Sequence, residues 1–139
     1  MYFESESDER WRTDIGPNHR ESGVRADLPF LSFSLWSTGI AVLSLLPAGA
    51  AISTGWSDKL EHGLAYAVLA ILLKAAFPSP SVLKVWVFCM LFGGLVEVGQ
   101  FFSPGRQTVF VDMVANGAGA AVGLTLYAVW SIKRRQRQL

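Results

Sequence analysis

Four apolar blocks, Leu28 to Leu46, Leu60 to Phe77, Val82 to Phe102 and Phe110 to Ile132, alternate with short polar or turn-forming segments. Each runs about 18 to 23 residues, enough at about 1.5 Å per residue to cross the hydrocarbon core of a bilayer. The pattern predicts an all-α, polytopic membrane protein, a bundle of four transmembrane helices. Helices buried all round in a water-soluble bundle would leave almost no polar face for solvent.

Against this background the polar exceptions stand out. Asp58, His62 and Tyr66 follow at i, i+4 and i+8 along one stripe of the second block, with Glu61 beside it. Glu97 and Gln100 lie near the end of the third block, and Asp112 and Asn116 open the fourth. Arg106 sits in the turn Ser103-Pro104-Gly105-Arg106-Gln107. Alternating spans bring all these residues to one end of the bundle. An ionisable side chain at the centre of a membrane helix costs roughly 2.5 to 3.5 kcal/mol, so each is expected to be functional or paired.

Two readings of this polar layer stay open. In the first, Arg106 neutralises Glu97 and Asp112, and Asn116 and Gln100 bond across helices to brace the bundle. In the second, carboxylates compete for one arginine and one histidine, leaving His62 or Glu97 to act as acid or base, or Arg106 to take an anionic ligand. His62 with Glu97 and Asp112 matches no recognised metal spacing, so neither a metal nor a cofactor is expected. Tyr66 is expected to be a packed aromatic. Ser57, Ser103 and the lone Cys89 belong to no nucleophile motif, and no phosphate-cradling glycine loop is present.

Composition agrees with a membrane protein: of 139 residues, 51% are hydrophobic and 17% charged. A net charge of +1 gives no basic field for nucleic acid. Residues 1–27 are mixed in charge, lack the apolar core of a signal peptide, and carry Gly16-Pro17-Asn18 and Ser22-Gly23, so a largely disordered polar leader is expected. Arg20, Arg25, Lys74, Lys84, Lys133, Arg134, Arg135 and Arg137 fall on one side of the spans, and only Lys59 and Arg106 on the other. By the positive-inside rule both ends of the chain, including the basic tail 133–139, are cytoplasmic and the polar layer is extracytoplasmic.

The connection Phe77-Pro78-Ser79-Pro80-Ser81 predicts a tight reversal, with Lys74 and Lys84 snorkelling beside it and Trp56 at the opposite interface. Gly119 and Gly123, with Ala115, form a small-residue stripe for close helix packing, and Gly93-Gly94 offers another. Either stripe would also serve a homo-oligomer.

The series Asp58-Lys59, His62, Tyr66, Glu97, Gln100, Pro104-Gly105-Arg106, Asp112, Asn116 and Gly119, spread over about the last 80 residues, resembles the VanZ-like membrane protein family. The resemblance implies that residues 28–132 form the family's four-helix transmembrane domain in a bacterial cytoplasmic membrane. It further implies a small envelope protein whose partners are membrane lipids or a lipid-linked envelope intermediate. The family is named after a member associated with teicoplanin resistance, a role that does not transfer with the fold. Binding, enzymatic action on an envelope lipid, and proton transport remain the alternatives for the polar layer.

Overall fold

The computed structural model describes residues 18–47, 57–105 and 110–138, with residues 18–26 by backbone alone. Among these residues there are four helices in order: α1 (Asn18–Leu45), α2 (Asp58–Ala76), α3 (Val82–Gln100) and α4 (Phe110–Gln136). The described residues contain no strand. Trp56 and Arg106 lie outside them, as does the leader before Asn18.

α1 corrects one expectation. It begins at Asn18, well before the apolar block, and passes through Ser22-Gly23 and Pro29 without a break. One helical glycine costs only about 1 kcal/mol, too little to stop a helix that continues into a long apolar segment. Pro29 removes a single backbone donor near the start of that segment, where the helix tolerates it.

Contacts between helices fix their directions. Trp36 Nε1 donates to Ala65 O at 3.0 Å, and Phe30 and Phe33 pack edge-on against Phe77, so α1 and α2 are antiparallel. Trp86 Nε1 donates to Gly117 O at 3.0 Å and Gly94 lies against Met113, so α3 and α4 are antiparallel too. α2 and α4 run parallel: Lys59 faces Asp112, His62 faces Asn116, Gly63 faces Gly119 and Ala67 faces Gly123. The result is an up-down-up-down bundle in which α2 touches all three other helices.

The α2–α4 seam is the most extensive packing surface, and small residues explain it. A Cβ at Gly119 would collide with the Gly63 carbonyl, and one at Gly123 with the Ala67 carbonyl. The two backbones therefore approach as closely as helices can, the arrangement small-xxx-small stripes permit. This stripe is occupied within one chain, which leaves it no free face for a second copy.

The connection 77–81 is closed locally. Lys74 Nζ donates to Pro78 O at 2.7 Å and also to Pro80 O, while Ser81 caps α3 by accepting from Lys84 N. Lys74 thus closes the reversal as well as lying near the helix end. Ser57 caps α2 in the same way, with Asp58 and Glu61 in the first turn where the helix dipole favours negative charge.

Below the polar layer lies an apolar core of Ile40, Leu69, Ala70, Leu73, Val85, Cys89, Ala120 and Leu124 around the Tyr66 ring. Outside, Leu35, Leu83, Leu91 and Leu95 are each more than 60% exposed, whereas Glu97, Gln100, Asp112 and Asn116 are all at most 7% exposed. This inverts the soluble-protein arrangement and fits a lipid surround. α1 from Asp27 to Leu45, α3 and α4 are long and apolar enough to cross a membrane. α2 falls short by composition, since Asp58, Lys59, Glu61 and Lys74 crowd its two ends. Its central position exposes little of it beyond the stripe Leu60, Leu64 and Val68.

Candidate functional site

α2, α3 and α4 each place polar side chains at the same depth, one turn from the end of the bundle that carries the 101–105 connection. His62 Nδ1 lies 3.2 Å from Asn116 Oδ1, linking α2 to α4. A ligating atom from each of His62, Glu97 and Asp112 falls within 4.8 Å of the others, across three helices. Asp112 Oδ1 is buried without a hydrogen-bond donor among the described residues, and the half-exposed Lys59 ammonium stays 3.9 Å away.

Tyr66 closes the floor. Its hydroxyl is buried with no hydrogen-bond partner among the described residues. It lies over Gly93 beside the Asn116 amide, at a point where a Cβ would stand 2.9 Å from Asn116 Nδ2 and 3.2 Å from the hydroxyl. Gly93 is therefore the space into which these two polar groups fit.

Not every residue of the predicted layer joins the cluster. Gln100, 3% exposed, donates through Nε2 to Ser44 O at 3.1 Å, and Ser103 Oγ donates to Leu45 O at 2.7 Å. Together they satisfy carbonyls at the end of α1, which an apolar surround would leave orphaned. Asp58 is exposed and Glu61 half-buried at the rim. Gly105 adopts φ 75°, the left-handed conformation that turns the chain toward Arg106, which itself lies outside the described residues.

Lys59 and Gly93 enter the site in roles that the sequence did not assign them: one stood in the motif series, the other among the packing glycines. Lys59 had a signal: at i, i+3 from His62 it borders the polar stripe. The role of Gly93 in making room was hidden, because a glycine in an apolar helix looks the same whether it meets lipid or a tyrosine.

Among the described residues, Lys59 is the ammonium that an ion pair brings to the two carboxylates, Glu97 and Asp112. Two ionised carboxylates within 4.8 Å repel by at least about 3 kcal/mol at an effective dielectric of about 20. A half-exposed ammonium at 3.9 Å offsets only part of that. The arrangement can hold a shared proton, accept a cationic group, or bind a metal ion through one imidazole and two carboxylates.

A separate apolar groove of about 430 Å³ lies between α3 and α4, lined by Trp86, Met90, Phe110, Met113, Val114, Gly117, Ala118 and Ala121. It occupies the face of α4 turned away from Asp112 and Asn116, and it is not part of the polar cluster.

A family model described as VanZ/LLP1 matches residues 8–131. The chain belongs to the VanZ/LLP1 family. No curated protein and no solved structure matches it. The match extends beyond the motif series in the last 80 residues, taking in α1 and much of the leader. Family membership together with three long apolar helices makes this VanZ-family chain a membrane protein.

Proposed function

We propose that this VanZ-family protein is a four-span protein of the bacterial cytoplasmic membrane that binds the polar head group of an envelope lipid, such as a lipid-linked glycan, from the extracytoplasmic side. All four helices then cross, α2 among them, shielded from lipid by its three neighbours. Both ends of the chain are cytoplasmic, in keeping with Lys74, Lys84 and the basic residues 133–135 at one end of the bundle. Arg106 follows Gly105 in the sequence and would supply a guanidinium for an anionic group.

The observation that carries this reading is the gathering of Glu97, Asp112, Asn116 and His62 from three helices into one buried polar cluster. A brace needs matched donors and acceptors. This cluster keeps an Asp112 oxygen and the Tyr66 hydroxyl without hydrogen bonds among the described residues. Polyprenyl phosphate and glycolipid binding by purified protein is the direct test. Arg106→Ala and Glu97→Gln are expected to abolish binding while the protein stays inserted and monodisperse; unchanged binding in both defeats the proposal. Reporters at the two ends and the three connections test the orientation.

One observation favours an enzymatic variant of the same site. His62 Nδ1 lies 3.2 Å from Asn116 Oδ1, and one ring nitrogen lies within 4.8 Å of both carboxylates; in the tautomer protonated at Nδ1, the Nε2 lone pair is free to act as a general base. Incubation with the same lipids decides it: a product lost in His62→Gln supports catalysis, and absence of product across the panel leaves binding alone.

A further inference from the structure

We propose that His62, Glu97 and Asp112 form a site for one divalent transition-metal ion of the Zn²⁺ or Mn²⁺ class. Each of α2, α3 and α4 contributes one ligand. Their ligating atoms lie within 4.8 Å of one another. Tetrahedral ligands at about 2.0 to 2.2 Å from a common ion are about 3.3 to 3.6 Å apart, so rotamer adjustments of up to about 1.5 Å close the set.

The surroundings fit an ion better than they fit a brace. Glu97 is 4% and Asp112 7% exposed, so these are not the solvated acidic groups that cluster on surfaces without consequence. Asp112 Oδ1 is buried within the cluster without a hydrogen-bond donor among the described residues. Asn116 Oδ1, 3.2 Å from His62 Nδ1, is placed for the orienting role that metal-bound histidines require: in the tautomer protonated at Nδ1 it holds the ring and leaves Nε2 free as a ligand. One imidazole with two carboxylates suits a borderline ion, whereas Ca²⁺ prefers six to eight oxygens and Mg²⁺ retains most of its water. Three protein ligands leave coordination positions open, and an ion there gives a phosphate oxygen something to bind. That bridging role rests on the head-group reading above; the binding of the ion to its three side chains does not.

The experiment uses the full chain in detergent or nanodiscs, stripped with a chelator and titrated with Zn²⁺ alone, then with Mn²⁺ followed by paramagnetic resonance. One ion per chain and a rise in Tm are expected. Asp112→Asn and Glu97→Gln, both nearly isosteric, should each weaken binding at least tenfold and remove the Zn²⁺-dependent rise, with elution and helicity unchanged. Absence of stoichiometric binding to the unaltered protein overturns the proposal, as does binding retained in both variants. A second arm measures polyprenyl phosphate binding with Zn²⁺ or chelator. Equal lipid binding in both conditions overturns the bridging role and leaves the head-group reading standing. Zn²⁺ bound with no lipid retained in either condition keeps the metal site and overturns the head-group reading.

Discussion

The seam between α2 and α4 has two halves built on opposite principles. In the lower half Gly119 and Gly123 bring the α4 backbone against Gly63 and Ala67, and nothing but main chain separates the helices. One turn higher the same two helices hold Lys59, His62, Asp112 and Asn116 between them. The lower half is closed by dispersion and complete as it stands. The upper half contains a buried Asp112 oxygen with no hydrogen-bond partner among the described residues. Close contact below thus fixes the depth and spacing at which polar groups meet above, and that rigid spacing is what a ligand site needs.

The largest effect should come from filling the lower half. Gly119→Val adds atoms where the Gly63 carbonyl already stands, and neither backbone can yield without separating the helices. Destabilisation of about 3 kcal/mol or more is expected, visible as loss of monodisperse protein and a lowered Tm. A normal Tm in this variant would dissolve the contrast between the halves.

In the upper half, Asn116→Ala should cost about 1 to 3 kcal/mol. It leaves His62 Nδ1 without its acceptor at a site 1% exposed, and opens a small void beside Tyr66. Lipid or ion binding should weaken at the same time, because the imidazole loses its orientation. A variant that lowers Tm without changing binding would assign Asn116 to bracing alone.

Asp112→Asn, by contrast, should raise stability by about 1 kcal/mol in the presence of chelator, since it removes a buried carboxylate oxygen that has no hydrogen-bond partner among the described residues and faces a second carboxylate within 4.8 Å. A structural polar layer predicts the reverse sign. Thermal unfolding with chelator therefore separates the two interpretations without any ligand in hand.

Much of this contrast was legible in the chain, and what was hidden has a physical reason. Hydropathy located the helices to within a few residues for α2, α3 and α4, because lipid and core both select apolar side chains. It misplaced the start of α1, where helix continues into polar residues that hydropathy does not count. The i, i+4 and i, i+3 spacings put His62, Glu97, Asp112 and Asn116 at one end, but spacing alone does not fix the rotation of a helix about its axis. Gln100 is three residues from Glu97, about 60° round α3, and that offset carries it to Ser44 on α1 instead of into the cluster. The Gly119–Gly123 stripe announced close packing. Its partner Gly63–Ala67 did not, because small residues among polar neighbours give no sign of what they touch.

The smallest predicted effect sharpens the lower half most. Gly63 and Gly119 face each other, yet they are not equivalent: a Cβ on Gly119 runs into Gly63, whereas a Cβ on Gly63 points beside α4 and meets only the Ala115 carbonyl at 3.7 Å, an ordinary contact. Gly63→Ala should therefore change stability by less than about 0.5 kcal/mol, the modest gain in helix propensity roughly cancelling any adjustment at the seam. Gly119→Ala at the opposing position should be plainly destabilising. The pair measured side by side reads the rotation of α2 against α4 directly, and equal losses at both positions would mean that the helices meet in a different register. The His62–Asn116 contact depends on that register, so it would have to be redrawn with it.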